Sequence, residues 1–125
     1  MSIEGLWAVQ TNQPENPKDW TEGGVAVLES QRIYGGGEMN AITGKYAVRG
    51  DDLIAECRMW TWNFERLVSP GYEDDNAFGK ALPIDMTISV VLRRDGEYWR
   101  GLTAPADGSA EPFGVRLKKI ADFPE

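Results

Sequence analysis

The chain has 125 residues, 42% hydrophobic and 26% charged, with a formal net charge of −7 and a pI near 4.6. That length supports one hydrophobic core rather than two, and the composition is that of a folded globular domain, neither disordered nor membrane-embedded. The acidic balance argues against duplex nucleic acid or an anionic membrane surface as the main partner, because phosphate binding draws on accumulated positive charge.

The expected architecture is a single domain over residues 1–125. Alternating apolar and polar residues bounded by Gly, Asp-Gly and Pro predict about eight short antiparallel strands, while helical periodicity is scarce. The first two lie near Gly5–Gln10 and Gly23–Leu28, separated by a Pro-rich segment, Thr11–Thr21, that reads as a loop. A tight turn at Glu29-Ser30 leads into Gln31–Tyr34, and Gly35-Gly36-Gly37 marks a reversal or bulge where a side chain would obstruct the backbone. Asn40–Arg49 and Asp52–Trp62 follow around a turn at Gly50-Asp51. Ile42, Gly44, Tyr46 and Val48 share one inward face, and Leu53, Ala55, Cys57 and Met59 share the next.

The opposite face of that fifth strand carries Ile54, Glu56, Arg58, Trp60 and Trp62. Two tryptophans on an outward face need cover from the chain's own long segment or from another subunit, which makes Trp60 and Trp62 the candidate homodimer contacts. Asn63–Pro83 lacks a strand pattern, with one helical turn expected at Phe64–Val68. Its acidic run, Glu73-Asp74-Asp75-Asn76, fails as a calcium loop, since Phe78 falls where the fifth position needs an oxygen ligand. Ile84–Arg94 and Glu97–Thr103 flank a hairpin signal at Asp95-Gly96, and Phe113–Lys119 is the last strand. Met86, Ile88, Val90 and Leu92 continue the inward pattern, as do Phe113, Val115 and Leu117. So many short strands protect their edges by closing into a barrel, here a small up-and-down all-β one whose interior either fills with side chains or holds one small ligand.

The chemistry these residues permit is narrow. The chain contains no histidine, which removes the commonest general base and metal ligand, and its one cysteine, Cys57, allows no intrachain disulfide. Cys57 also falls on the inward apolar face, as an inert thiol would. Glu56 with Arg58, or Asp51 with Asp52, are the carboxylate pairs an enzyme would have to use. The triple glycine lacks the spacing and following helix of a phosphate loop. Neither a cofactor nor a metal is expected. With no apolar run near the ~20 residues of a membrane span and no signal-peptide character at the start, the expected location is the cytoplasm. Charge is uneven: residues 1–85 hold seven Lys/Arg against fourteen Asp/Glu, and residues 86–120 hold six against four. Such a polarity could orient a charged partner, or be ordinary solvated surface.

Two resemblances sharpen these expectations. Gly5-Leu6-Trp7 resembles the Gly-x-Trp signature of the lipocalin superfamily, in which the tryptophan closes one barrel end beneath an arginine of the last strand. The resemblance implies that role for Trp7 and, as the arginine, Arg116. More extensively, Gly24-Val25-Ala26-Val27-Leu28, Arg32-Ile33-Tyr34-Gly35-Gly36-Gly37, Thr43-Gly44-Lys45-Tyr46 and Gly50-Asp51-Asp52-Leu53 together resemble the bacterial type III secretion negative regulators, the GrlR-like proteins. That resemblance covers the first half of the chain and implies a lipocalin-like barrel that dimerises and acts by holding a protein partner, a transcriptional activator. The family's acidic hairpin turn corresponds to Arg49-Gly50-Asp51-Asp52, where Asp51 and Asp52 keep the acidic character and Arg49 departs from it. Three readings follow: a regulator binding protein through Arg49, Asp51 and Asp52; a carrier of a small apolar ligand in a lumen lined by Tyr46, Met59, Met86 and Trp99; and a carboxylate enzyme. An open lumen would favour the carrier and a filled one the regulator.

Overall fold

A computed structural model describes residues 3–13, 15–63, 65 and 83–124. Eight antiparallel strands close into one barrel with nearest-neighbour connections throughout. They are β1 (Gly5–Gln13), β2 (Asn16–Glu29), β3 (Arg32–Gly36), β4 (Asn40–Arg49), β5 (Asp52–Thr61), β6 (Asp85–Asp95), β7 (Tyr98–Pro105) and β8 (Phe113–Asp122). The ring shuts where β1 pairs with β8, from Gly5 opposite Asp122 to Asn12 opposite Gly114. All eight expected strands are present, in the expected up-and-down order. No helix among the described residues is long and apolar enough to cross a membrane. The helical turn expected at Phe64–Val68 and the acidic run at Glu73–Asn76 lie outside the described residues, apart from Glu65.

The clearest departure is at Thr11–Thr21. Instead of a loop, this stretch continues the first hairpin: Thr11 pairs with Thr21 and Gln13 with Asn16, with register shifts between Ala8 and Gln10 and between Thr11 and Gln13. Pro17 lacks a donor but its carbonyl accepts a bond from Asn12 Nδ2 at 2.8 Å, so the ribbon absorbs the proline next to its irregular register.

Three two-residue turns gather at one end of the barrel. Ser30-Gln31 joins Glu29 to Arg32, Gly50-Asp51 joins Arg49 to Asp52, and Gly96-Glu97 joins Asp95 to Tyr98. The turns after β2 and β6 thus sit one residue later than the Glu29-Ser30 and Asp95-Gly96 signals suggested. Gly50 and Gly96, both at φ 62, take the first central position of their turns. Ser30 and Gln31, at φ 50 and 65, form a left-handed pair with no glycine at all.

That end is packed solid. Trp7, Leu28, Leu53 and Leu92 are almost completely buried, with Tyr46, Trp99 and Leu117 beside them. Gly5 sits at φ 147, and a Cβ there would run into the Ala121 carbonyl oxygen, so the glycine of the Gly-x-Trp pattern lets β1 and β8 approach. Trp7 Nε1 donates to the Ile3 carbonyl at 2.8 Å, which satisfies the one polar atom of a buried indole.

The cation over Trp7 is Lys119, with Nζ 5.3 Å from the ring, and not Arg116. Strand parity is the reason: Val115 and Leu117 point inward, so Arg116 between them points out while Lys119 continues the inward series. Lys119 has a side chain only 12% exposed, donates to the Glu4 carbonyl at 2.9 Å and pairs with Asp122 at 2.6 Å. Lys119 holds the Asp122 carboxyl below its usual range, chiefly through that hydrogen bond. Arg94 lies over Trp99 in the same way, at 5.8 Å, so two cations cap two indoles at this end.

Candidate functional site

At the opposite end the described residues leave the barrel hollow. A cavity of about 630 Å³ runs from this mouth toward the closed end. Its wall is built from the inward positions of successive strands: Val9 on β1, Ile42 on β4, Ala55, Cys57 and Met59 on β5, Ile88 and Val90 on β6, and Val115 on β8. Leu53, Leu92 and Leu117 form its floor, above the tryptophan plug. Small side chains help to make the space, because Gly44 stands opposite Cys57 across β4 and β5 and Ala55 lies two residues before Cys57 on the same face. The volume lies in the usual range of ligand pockets, about 300–1,000 Å³.

The mouth has a built rim. Gly24 at φ 106 and Gly36 at φ 142 let β2, β3 and the start of β4 converge, since a Cβ on Gly24 would strike the Gly36 carbonyl and one on Gly36 the Asn40 carbonyl. The triple glycine is therefore a close approach of strands, as its composition suggested. The β3–β4 connection is then tied to the end of β5: the amides of Trp62 and Asn63 donate to the Met39 carbonyl, and Asn63 Nδ2 donates to the Glu38 carbonyl. Thr61, buried, donates through Oγ1 to Asn40 Oδ1 and accepts from the Ile84 amide, each at 2.9 Å. These bonds hold buried Met39 against the cavity. Glu22 and Glu38 also border the mouth, with the Glu22 carboxylate accepting from outward-facing Gln10 at 2.8 Å.

The four residues expected to line the lumen divide. Met59 lines the cavity. Tyr46 and Trp99 are buried in the closed end, below it, and burial pushes the Tyr46 hydroxyl pKa up. Met86 packs against the core but opens on a separate, more polar hollow with Arg58, Asp85 and Asp107. Sequence parity found the wall and missed its depth: aromatic side chains fill the end with tight turns, while the hollow is lined mainly by the aliphatic members of the same inward series.

Cys57 lies midway along the cavity wall with its thiol buried, and burial raises its pKa to about 11. At neutral pH it is a protonated, weakly nucleophilic group facing an apolar space.

On the outer wall, Trp60 is half-buried beneath the Arg58 guanidinium, 4.5 Å from the ring centre, and Arg58 forms a two-pronged pair with Asp85 at 2.8 and 2.9 Å. Arg58 holds the Asp85 carboxyl below its usual range through these bonds. Trp62 is 52% exposed and donates from Nε1 to the Gly37 carbonyl. The chain thus covers Trp60 in part and leaves about half of Trp62 open. At the β4–β5 turn, Asp52 accepts from Arg93 at 3.0 Å, so one of the two carboxylates is already partnered. Arg58 pairs with Asp85 rather than with Glu56, and no group of three or more His, Cys, Asp or Glu converges among the described residues. Arg116 belongs to a different outer cluster, 4.3 Å from the Trp20 ring and 4.8 Å from Tyr98, donating to Gln10 at 2.6 Å.

One outer feature escaped sequence reading. Ile54, Val91 and Leu102 are direct cross-strand neighbours on β5, β6 and β7, exposed by 44, 54 and 54%. Ile54 and Val91 are each flanked by polar residues on the outer face of their own strand, and only the register aligns them with Leu102 in a row. No protein-family model matches this chain, and no curated protein matches it.

Proposed function

We propose that this protein binds and carries a small apolar molecule in its barrel, by binding rather than catalysis. The observation that carries the reading is the hollow above the plug: about 630 Å³ walled by aliphatic side chains, Cys57 and Met59, with polar groups confined to the rim and Thr103. Thr103 donates to the Ser89 carbonyl, so it too is satisfied without a ligand. Burial of apolar surface is the driving force, at roughly 25 cal/mol per Å² removed from water.

The test is titration with N-phenylnaphthylamine, a neutral apolar fluorophore. Saturable one-to-one binding is expected, abolished by Ala55→Phe, which fills the cavity without altering the outer wall. Saturating probe should also slow alkylation of Cys57, a readout independent of the variant's folding. Probe binding that survives Ala55→Phe and leaves Cys57 unprotected would place it outside the lumen and end the carrier reading.

A second reading, the dimeric regulator implied by the GrlR-like resemblance, is supported by the outer row Ile54–Val91–Leu102 and by exposed Trp62. It is tested by sedimentation of the unmodified protein and of Val91→Lys, with affinity for a captured partner compared after Asp51→Asn with Asp52→Asn.

A further inference from the structure

Independently of the lumen, we infer that the outer wall across β5–β8 docks an amphipathic helix of a protein partner, one whose apolar stripe is bordered by carboxylates. Two parallel rows on this wall carry the inference. Ile54, Val91 and Leu102 are the exposed apolar row. Two residues along, on the same outer face, Arg93 on β6 stands opposite Arg100 on β7, and Arg100 stands opposite Arg116 on β8. Like charges directly opposite one another destabilise a sheet, so a line of carboxylates laid on these three guanidinium groups would relieve the fold as well as bind.

The arginines remain presented outward although each touches a neighbour. Arg93 gives Nε to Asp52 at 3.0 Å and Arg100 lies 3.6 Å from Asp95, yet their side chains are 73 and 53% exposed, and pairs so exposed contribute little and exchange readily. Arg116 is fixed in place by Gln10 Oε1 and by the rings of Trp20 and Tyr98, 4.3 and 4.8 Å away. This row lies toward the closed end, whereas β5 ends and β6 begins at the mouth.

Spacing selects the occupant. Neighbouring strands are about 4.8 Å apart, close to the ~5.4 Å pitch of a helix lying across them, whereas an extended segment repeats each face every ~6.8 Å. Helix residues at i, i+4 and i+7 therefore meet Ile54, Val91 and Leu102, and acidic residues along one border of that stripe meet the arginines. A second copy of this chain, seated two-fold with apolar row on apolar row, fits less well. The row beyond its apolar one is Glu56, Ser89 and Ala104, one carboxylate for three arginines. A nucleic acid has nothing to set on the apolar row, and the Trp20 and Tyr98 rings it would stack on already hold Arg116.

The probe is a fluorescein-labelled, alanine-rich helical peptide of about 18 residues, with leucines at i, i+4, i+7 and i+11 and glutamates along one border of that stripe. Its twin carries lysines in place of the glutamates. By fluorescence anisotropy at low salt the glutamate peptide should bind at least about fivefold more tightly than the twin, with the gap closing as salt rises. The net charge of −7 by itself predicts the reverse order. Arg93→Glu with Arg100→Glu should invert the preference, a gain of binding that an unfolded variant would not show. Arg100→Gln alone should narrow the gap, and Val91→Ser should weaken the glutamate peptide about fivefold without changing the order. Preference of the unmodified protein for the lysine twin, binding of neither peptide, or tighter binding of an oligothymidylate overturns the inference. A dimer in sedimentation that Val91→Lys dissociates also overturns it, in favour of a second copy on this face. The carrier reading stands or falls separately, on the fluorophore titration of the lumen.

Discussion

The two ends of the barrel are made from the same eight strands and differ in almost everything else. At the closed end three connections are two residues long, and large side chains, Trp7, Leu28, Leu53, Leu92 and Trp99, meet in the centre. At the mouth the connections after β3, β5 and β7 are longer, and the inward positions hold aliphatic side chains, Cys57 and Met59, with Ala26, Ala55 and Thr103 among them, and no tryptophan among the described residues. Tight turns bring strand ends together, and bulky residues there complete a core. At the mouth no tryptophan of the described residues enters the barrel, and the space between the aliphatic walls stays unfilled. Dense packing and open space thus lie at opposite ends, and a substitution should report which end it touches.

The sharpest test is Trp7→Ala, which should cost about 3–5 kcal/mol by urea denaturation, since a large plug side chain is lost and the packed surroundings cannot collapse. Met59→Ala, facing a hollow that already exists, should cost less, about 1–2 kcal/mol, because few contacts are removed. Equal costs would mean that the lumen is as filled as the plug.

Between these lies a pH effect at Cys57. The unfolded thiol ionises near 9.0, whereas the folded one holds its proton to about 11. Over that interval the unfolded chain binds fewer protons, so stability is complete below pH 9 and falls as pH rises toward 11. The loss should reach about 2–3 kcal/mol. Cys57→Ala should remove this part of the alkaline slope, measured as the denaturation midpoint against pH.

The smallest expected effect is at a closed-end turn. Ser30 and Gln31 both adopt left-handed backbone, a conformation that costs ordinary residues about 1–2 kcal/mol each. Ser30→Asn with Gln31→Gly should therefore raise stability by about 1 kcal/mol, as a shift in the thermal midpoint. The Ser30 amide bond to Glu4 Oε2, at 2.7 Å, is made by the backbone and survives the change.

How far the sequence foretold this division varies by element. The strands from β3 to β8 were legible because each alternates cleanly and ends at a turn residue, and the inward series Leu53, Ala55, Cys57 and Met59 reads directly from that alternation. The extension of β1 and β2 was not, since Pro14 and Pro17 signal a loop and only pairing across a bulged ribbon overrides them. Lys119 was within reach, because counting by twos from Phe113 through Val115 and Leu117 arrives at it and passes over Arg116. The cavity was not, because depth within a barrel depends on register and tilt, which place Trp99 under the hollow and Met59 beside it although both point inward.

The seam between β1 and β8 has a kinetic consequence. Every other strand pair is a hairpin between neighbours in sequence, whereas the bonds from Lys119 to Glu4 and from Arg116 to Gln10 join residues 115 and 106 positions apart. Bringing such distant segments together carries the largest chain-entropy cost in the fold, so the sheet curls before it shuts and the seam zips last. Interactions formed after the rate-limiting barrier slow opening without hastening formation. Lys119→Met should then raise the unfolding arm of a chevron plot at unchanged slope and leave the refolding arm almost in place. The same latch that defines the ring in space would govern how long each ring persists once closed.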